Sequence, residues 1–167
     1  MTDPQSLDAQ SPDAKFQDGG EAPLRLVATD AEDLTVISTL LQDAVLPVTE
    51  ISHDPKRRRF ALMLNRFRWE DRPQAEAVGR PYERVRSVLV VEDVLSVKSQ
   101  GFDRNDKDLV LSLLALDFAA GADGTGRLTL TLAGDGAIAL EVEALEVRLD
   151  DVTRPYRAPS GKVPTHD

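Results

Sequence analysis

With 167 residues, no cysteine and a net charge of −9, the chain has the length of one domain with a single hydrophobic core. It cannot build a disulfide framework or a thiolate metal site, and no apolar run approaches the roughly 18–20 residues that a membrane-spanning helix needs. The N-terminus has neither a basic start nor an apolar block, so it does not read as a secretory signal, and the default expectation is a soluble cytoplasmic protein.

Residues 1–22 hold one Lys against five acids and are rich in Asp, Gln, Ser, Pro and Gly, which predicts a disordered acidic leader. A domain over 23–153 follows. It opens with a short strand, LRLVA (24–28), and then a helix. Leu34, Ile37, Leu40, Leu41, Ala44 and Val45 recur at the spacing of one buried helical face, Thr29 and Glu32 match a capping box, and Pro47 forbids continuation.

After Pro47 the pattern is strand throughout. VTEIS leads through the turn HDPKR into RRFALML, where Phe60, Leu62 and Leu64 share a face. The next rings, Phe67 and Trp69, fall on the opposite parity, which predicts a bulge at Asn65–Arg66. QAEAVGRP (74–81) reads as a loop. ERVRSVLVV and DVLSVKSQ are strands split by Glu92–Asp93, and LVLSLLALDF (109–118) is apolar on both faces, as in a central or bent strand. RLTLTLAG alternates, and the DG at 135–136 signals a hairpin. The last strand shifts parity between Val142 and Leu145, predicting a second bulge near Glu143–Ala144. Residues 154–167, with three prolines, should run as an extended C-terminal segment. The expected fold is α+β: one N-terminal helix on a strongly curved, mostly antiparallel sheet, an open barrel or sandwich-like roll.

Charge is segregated. Residues 53–86 hold ten basic groups against five acids, and every other stretch is net acidic. Arg57, Arg58, Arg59, Arg66, Arg68, Trp69, Arg84 and Arg86 are therefore the candidate ligand- or partner-binding residues. Arginines with exposed rings would suit nucleic acid. Alternation turns the rings inward, however, and the overall charge repels a polyanion, so a solvated hairpin or edge strand is the plainer reading, an acidic protein partner or the chain's own acidic tail comes next, and nucleic acid is disfavoured.

Other constellations are weaker. His53–Asp54 and His166–Asp167 are His–acid pairs without a third convergent ligand, so no metal or catalytic role is assigned. DRNDKD (103–108) lacks the glycine and the glutamate of a calcium loop, and GADGTG opens no helix that could cradle phosphate. No nucleophile motif and no cofactor fingerprint is present, so an enzyme is the less favoured reading.

RRFALMLNRFRWED, YERVRSVLVVEDVLSVKSQG, LVLSLLALDF and the ending DDVTRPYRAPSGKVPTHD together resemble a bacterial family of domains of unknown function, the one numbered 2948, over about residues 23–167. The resemblance implies a small stand-alone cytoplasmic protein and carries over no catalytic residue. The leading functional expectation is a non-catalytic protein-binding or adaptor module that uses the basic band of residues 56–86 or a sheet edge. The alternative is a small anionic-ligand binder or enzyme with its site in the mouth of the sheet, around Arg66, Trp69, Arg84 and Arg86. Homodimerisation is compatible with either.

Overall fold

The computed structural model describes residues 22–165. The predicted leader falls almost wholly outside that range, as do His166 and Asp167. The first strand, β1 (Arg25–Ala28), runs into α1 (Ala31–Leu40). The helix cap is Asp30, one residue after the expected Thr29, with its carboxylate accepting the Asp33 N–H at 2.8 Å. Leu34, Ile37 and Leu41 are buried under it.

The helix stops five residues earlier than its periodicity suggests, at Leu40 and not Val45. Asp43 takes a left-handed conformation (φ 64°), and Ala44–Pro47 becomes strand β2. Ala44 and Leu46 point inward at the two-residue strand spacing, which mimics the end of a helical stripe. β2 pairs with β7 (Val110–Ala120), and the Ser38 hydroxyl accepts the Leu116 N–H at 2.9 Å, which fixes α1 against the same strand.

The remaining strands are β3 (Ile51–Asp54), β4 (Arg59–Phe67), β5 (Glu83–Val91), β6 (Val94–Gln100), β8 (Gly126–Leu132), β9 (Gly136–Val142), β10 (Val147–Asp151) and β11 (Tyr156–Arg157). They form one antiparallel sheet in the order β1-β10-β5-β4-β2-β7-β8-β9-β6, with β3 beside β4 and β11 beside β5. The sheet does not close, so β1 and β6 are its edges. The inward faces of both halves nevertheless belong to one apolar cluster, from Leu89 and Val147 to Leu130 and Leu140. A single face that buries itself against itself and α1 requires the sheet to roll over.

Three sequence expectations change. The loop at 74–81 contains a second helix, α2 (Arg72–Val78), with Pro73 in its first turn and Gly79 (φ 69°) at its C-terminal end. No bulge interrupts β4, whose register to β5 is continuous from Phe60↔Val91 to Phe67↔Arg84. The extra residue sits instead in β7, between Leu113 and Ala115. The predicted last strand is two, β9 and β10, placed in different halves of the sheet and joined by residues 143–146, with a register shift at Glu141/Val142 opposite β6.

Candidate functional site

The unbroken register of β4 explains its parity change. Arg66 takes the core-facing position that follows Phe60, Leu62 and Leu64, and Phe67 packs on the other face with Trp69 and Tyr82. The expectation that the guanidinium groups stay wet fails here: Arg66 is 0% exposed and Arg68 is 5% exposed. A buried guanidinium must be paired, and Arg66 is paired twice. Its Nε and Nη2 donate to the two oxygens of Asp151 at 3.1 Å each, and its Nη1 and Nη2 donate to Glu70 at 2.9 Å. Asp151 also accepts the Ser87 hydroxyl at 2.7 Å and the Leu24 N–H at 2.9 Å.

Burial by itself disfavours the charged form of both partners. For Arg66 the hydrogen bonds from its guanidinium to Glu70 and Asp151 outweigh that penalty and hold its pKa above the ordinary value. For Asp151 desolvation is likewise outweighed, by the hydrogen bonds from Arg66, Ser87 and Leu24, and its pKa lies below the usual carboxylate range. Arg68 donates to Glu83, and Arg80 holds Asp71 through bonds of 2.7 and 2.9 Å. Neutralised in this way, the cluster pins β4, β5, β10 and the turn into α2.

Most of the basic band is used internally. Arg57 lies 3.8 Å from Asp54, Arg58 meets Glu143, and Arg59 meets Glu92 at 3.1 Å. Trp69 is half-buried and donates its indole N–H to the Gln42 carbonyl at 3.0 Å. His53 sits within β3 opposite Phe60, and Asp103 and Asp106 accept from the N–H groups of Asn105 and Asp108 in their own turn. Among the described residues no cluster of three metal-ligating side chains occurs, and no helix is long and apolar enough to cross a membrane.

Arg84 and Arg86 differ. Both point to the outer face of the sheet from β5, and among the described residues no carboxylate comes within ion-pairing distance of either. Arg84 instead donates to the Asn65 side-chain oxygen and, at 3.1 Å, to the Asn65 carbonyl, and Asn65 donates to the Tyr156 hydroxyl. Desolvation lowers the pKa of Arg84, and the nearby Tyr156 and Asp43 only partly compensate.

Beside them opens a cavity of about 510 Å³, floored by Val45, Pro47, Met63 and Val110 and bordered by Asn65, Arg86 and Tyr156. An apolar floor with a few convergent polar groups is the usual composition of a ligand site, and this volume falls within the usual range. The cavity near α2, of about 560 Å³, is lined by Arg80 and Glu76, which are already engaged with Asp71 and with Arg72 and Tyr82.

The structure thus gathers Arg84 and Arg86 from the predicted set and separates them from Arg66 and Trp69. Sequence reading missed Asn65, Tyr156 and the apolar floor, which come from four strands distant along the chain. The signal for the buried pin was available: Arg66 continues the alternation of Phe60, Leu62 and Leu64, so regular pairing would have placed a charge in the core.

The sequence profile of a family of proteins of unknown function, DUF2948, matches residues 24–166. The chain belongs to this family. No curated protein and no solved structure matches it. The span matched to DUF2948 contains the ion cluster and the groove and leaves residues 1–23 and 167 outside.

Proposed function

We propose that this DUF2948 protein is a non-catalytic binding module whose site is the outer-face groove, and that it takes a ligand with an anionic head on a short apolar body. The observation that carries this reading is the apolar floor bordered by Arg86, Asn65 and Tyr156, with the half-buried Arg84 held beside it by Asn65. Arg84 keeps Nη1 for an incoming anion, Arg86 adds a second cation, and Tyr156, which accepts from Asn65, retains its own O–H to donate. The lining holds no carboxylate, imidazole or serine, which suits capture of a ligand and not its transformation.

An adaptor using the basic band has less support, because Arg57, Arg58, Arg59, Arg66 and Arg68 are each matched by an acid of the same chain. The β6 edge carries Lys98 and the outward Leu95 at a register shift, both of which work against addition of a flat strand. Thermal-shift titration with phenylacetate and octanoate, against phenylacetamide and octanol, tests the groove. A ligand bound only by the folded state raises its stability. The acids should raise the melting temperature, the neutral isosteres should not, and Arg84→Ala should abolish the shift. Equal shifts from acid and amide, or an undiminished shift in Arg84→Ala, would refute the assignment.

A further inference from the structure

The groove is walled by strands that are held with unequal security, and the weakest of them is the C-terminal one. Val45, Met63 and Val110 belong to β2, β4 and β7, each flanked by strands on both sides. Tyr156 belongs to β11, which has two residues and pairs with β5 alone, through Tyr156↔Arg84 and Arg157↔Glu83. We propose that residues 154–158 form a hinged strap, the movable wall of the groove, and that a seated anion holds it shut. This rests on the groove being an anion site and adds how that site opens and closes.

Three observations support it. First, the root of the strap is fixed and the next two residues are not. The Val152 N–H donates to the Arg86 carbonyl at 2.8 Å, and the Arg86 N–H donates to the Thr153 hydroxyl at 3.0 Å. The exposed Arg154 and then Pro155 follow, and proline has no N–H to give to a ladder, so the pairing lapses there. Second, little holds the strap beyond that hinge. Its ties are the short β11 pairing, the Ala158 N–H on the Tyr82 carbonyl at 2.8 Å, the buried Ala158 methyl, and the Tyr156 hydroxyl that accepts from Asn65. A segment with so few buried contacts opens locally well before the domain unfolds. Third, Arg86 and Tyr156 border the same cavity, so an anion seated there bridges β5 to the strap through the guanidinium and the phenol O–H. A ligand that touches both favours the closed form by its differential affinity for it.

Amide hydrogen exchange in the full-length protein reads the strap directly. After correction for intrinsic rates, the Ala158 N–H of the free protein should exchange at least about tenfold faster than the Leu149 N–H, which lies in β10 between β1 and β5, although both residues are buried. Phenylacetate at about ten times its dissociation constant should slow Ala158 by about tenfold, the factor for a ligand that the open strap does not hold. It should leave unchanged the Gly121 N–H, bonded to the Thr125 carbonyl at 2.7 Å in the connection between β7 and β8. Ala158→Asp puts a carboxylate where a methyl anchors the strap, and should lower phenylacetate affinity by at least about tenfold while the Leu130 and Leu140 methyl resonances stay in place. An Ala158 N–H as slow as that of Leu149 in the free protein overturns the inference, and so does undiminished affinity in Ala158→Asp. A thermal shift from phenylacetate with no slowing at Ala158 overturns the strap and leaves the groove reading intact. Fast exchange at Ala158 with neither a thermal shift nor any slowing refutes the groove reading, and the coupling of the strap to an anion falls with it.

Discussion

Arg66 and Asp151 face each other through two parallel hydrogen bonds of 3.1 Å in the interior, one reaching from β4 and the other from β10, with β5 between them. Breaking such a pair from one side leaves the other charge buried and uncompensated, which typically costs about 3–5 kcal/mol. Arg66→Ala should therefore lower unfolding stability by about that amount in urea titrations. Arg66→Met with Asp151→Asn removes both charges and keeps one acceptor oxygen for the Leu24 N–H, while the Ser87 hydroxyl can turn to accept from the new amide, so it should recover at least half of the loss. A double variant as unstable as the single would show that the ion pair is not the source.

Acid should act through the same carboxylate. Asp151 has a folded-state pKa below its unfolded value, so its contribution is complete above the unfolded value, about 4, and fades as the pH falls through the folded value. Stability measured by urea midpoint should fall below about pH 4, and Asp151→Asn should flatten that limb while lowering the plateau. An acid limb of unchanged depth in Asp151→Asn would move the effect to other carboxylates.

The elements that could be read from the sequence were those with a local signature. α1 shows its stripe from Leu34 to Leu41, and β8 and β9 alternate on either side of a turn where Gly134 and Asp135 both have positive φ. α2 was obscured because it is only seven residues long, although Pro73 and Gly79 bracket it. Arg66 was misread because a charge at a core position looks like a change of parity, and only its distant partner Asp151 reveals why it is tolerated. The groove had no local signal at all. Val45, Met63, Arg86, Val110 and Tyr156 become neighbours only once the strand order is fixed, and that order depends on long-range pairing.

Two glycines with left-handed backbones separate conformational strain from crowding. Gly79 (φ 69°) has open space where a Cβ would stand, so Gly79→Ala should cost only the backbone strain, about 1 kcal/mol. At Gly101 (φ 81°) a Cβ would lie 2.5 Å from the Asp135 carbonyl oxygen and 2.8 Å from the Gly136 Cα. Both are backbone atoms of the β8–β9 turn and cannot swing aside. Gly101→Ala should thus exceed Gly79→Ala by about 1–3 kcal/mol in denaturant midpoints. Equal losses would mean that the turn yields freely.

Phe67 and Trp69 offer the most direct optical test of the small apolar patch beside α2. Their rings meet edge to face at a centroid distance of 4.7 Å, and the Tyr82 ring lies 5.7 Å from Phe67. Phe67 is 0% exposed, so Phe67→Ala leaves a cavity that should cost about 3–5 kcal/mol. Trp69 is the only tryptophan, so its emission reports this site alone. Loss of the ring that covers it should shift that emission to the red in the still-folded variant, whereas Val36→Ala on the exposed face of α1 should change stability by no more than about 0.5 kcal/mol and leave the spectrum unmoved. A folded Phe67→Ala protein with the parent spectrum would show that the indole is sheltered by its hydrogen bond to Gln42 and by α2 instead of by Phe67.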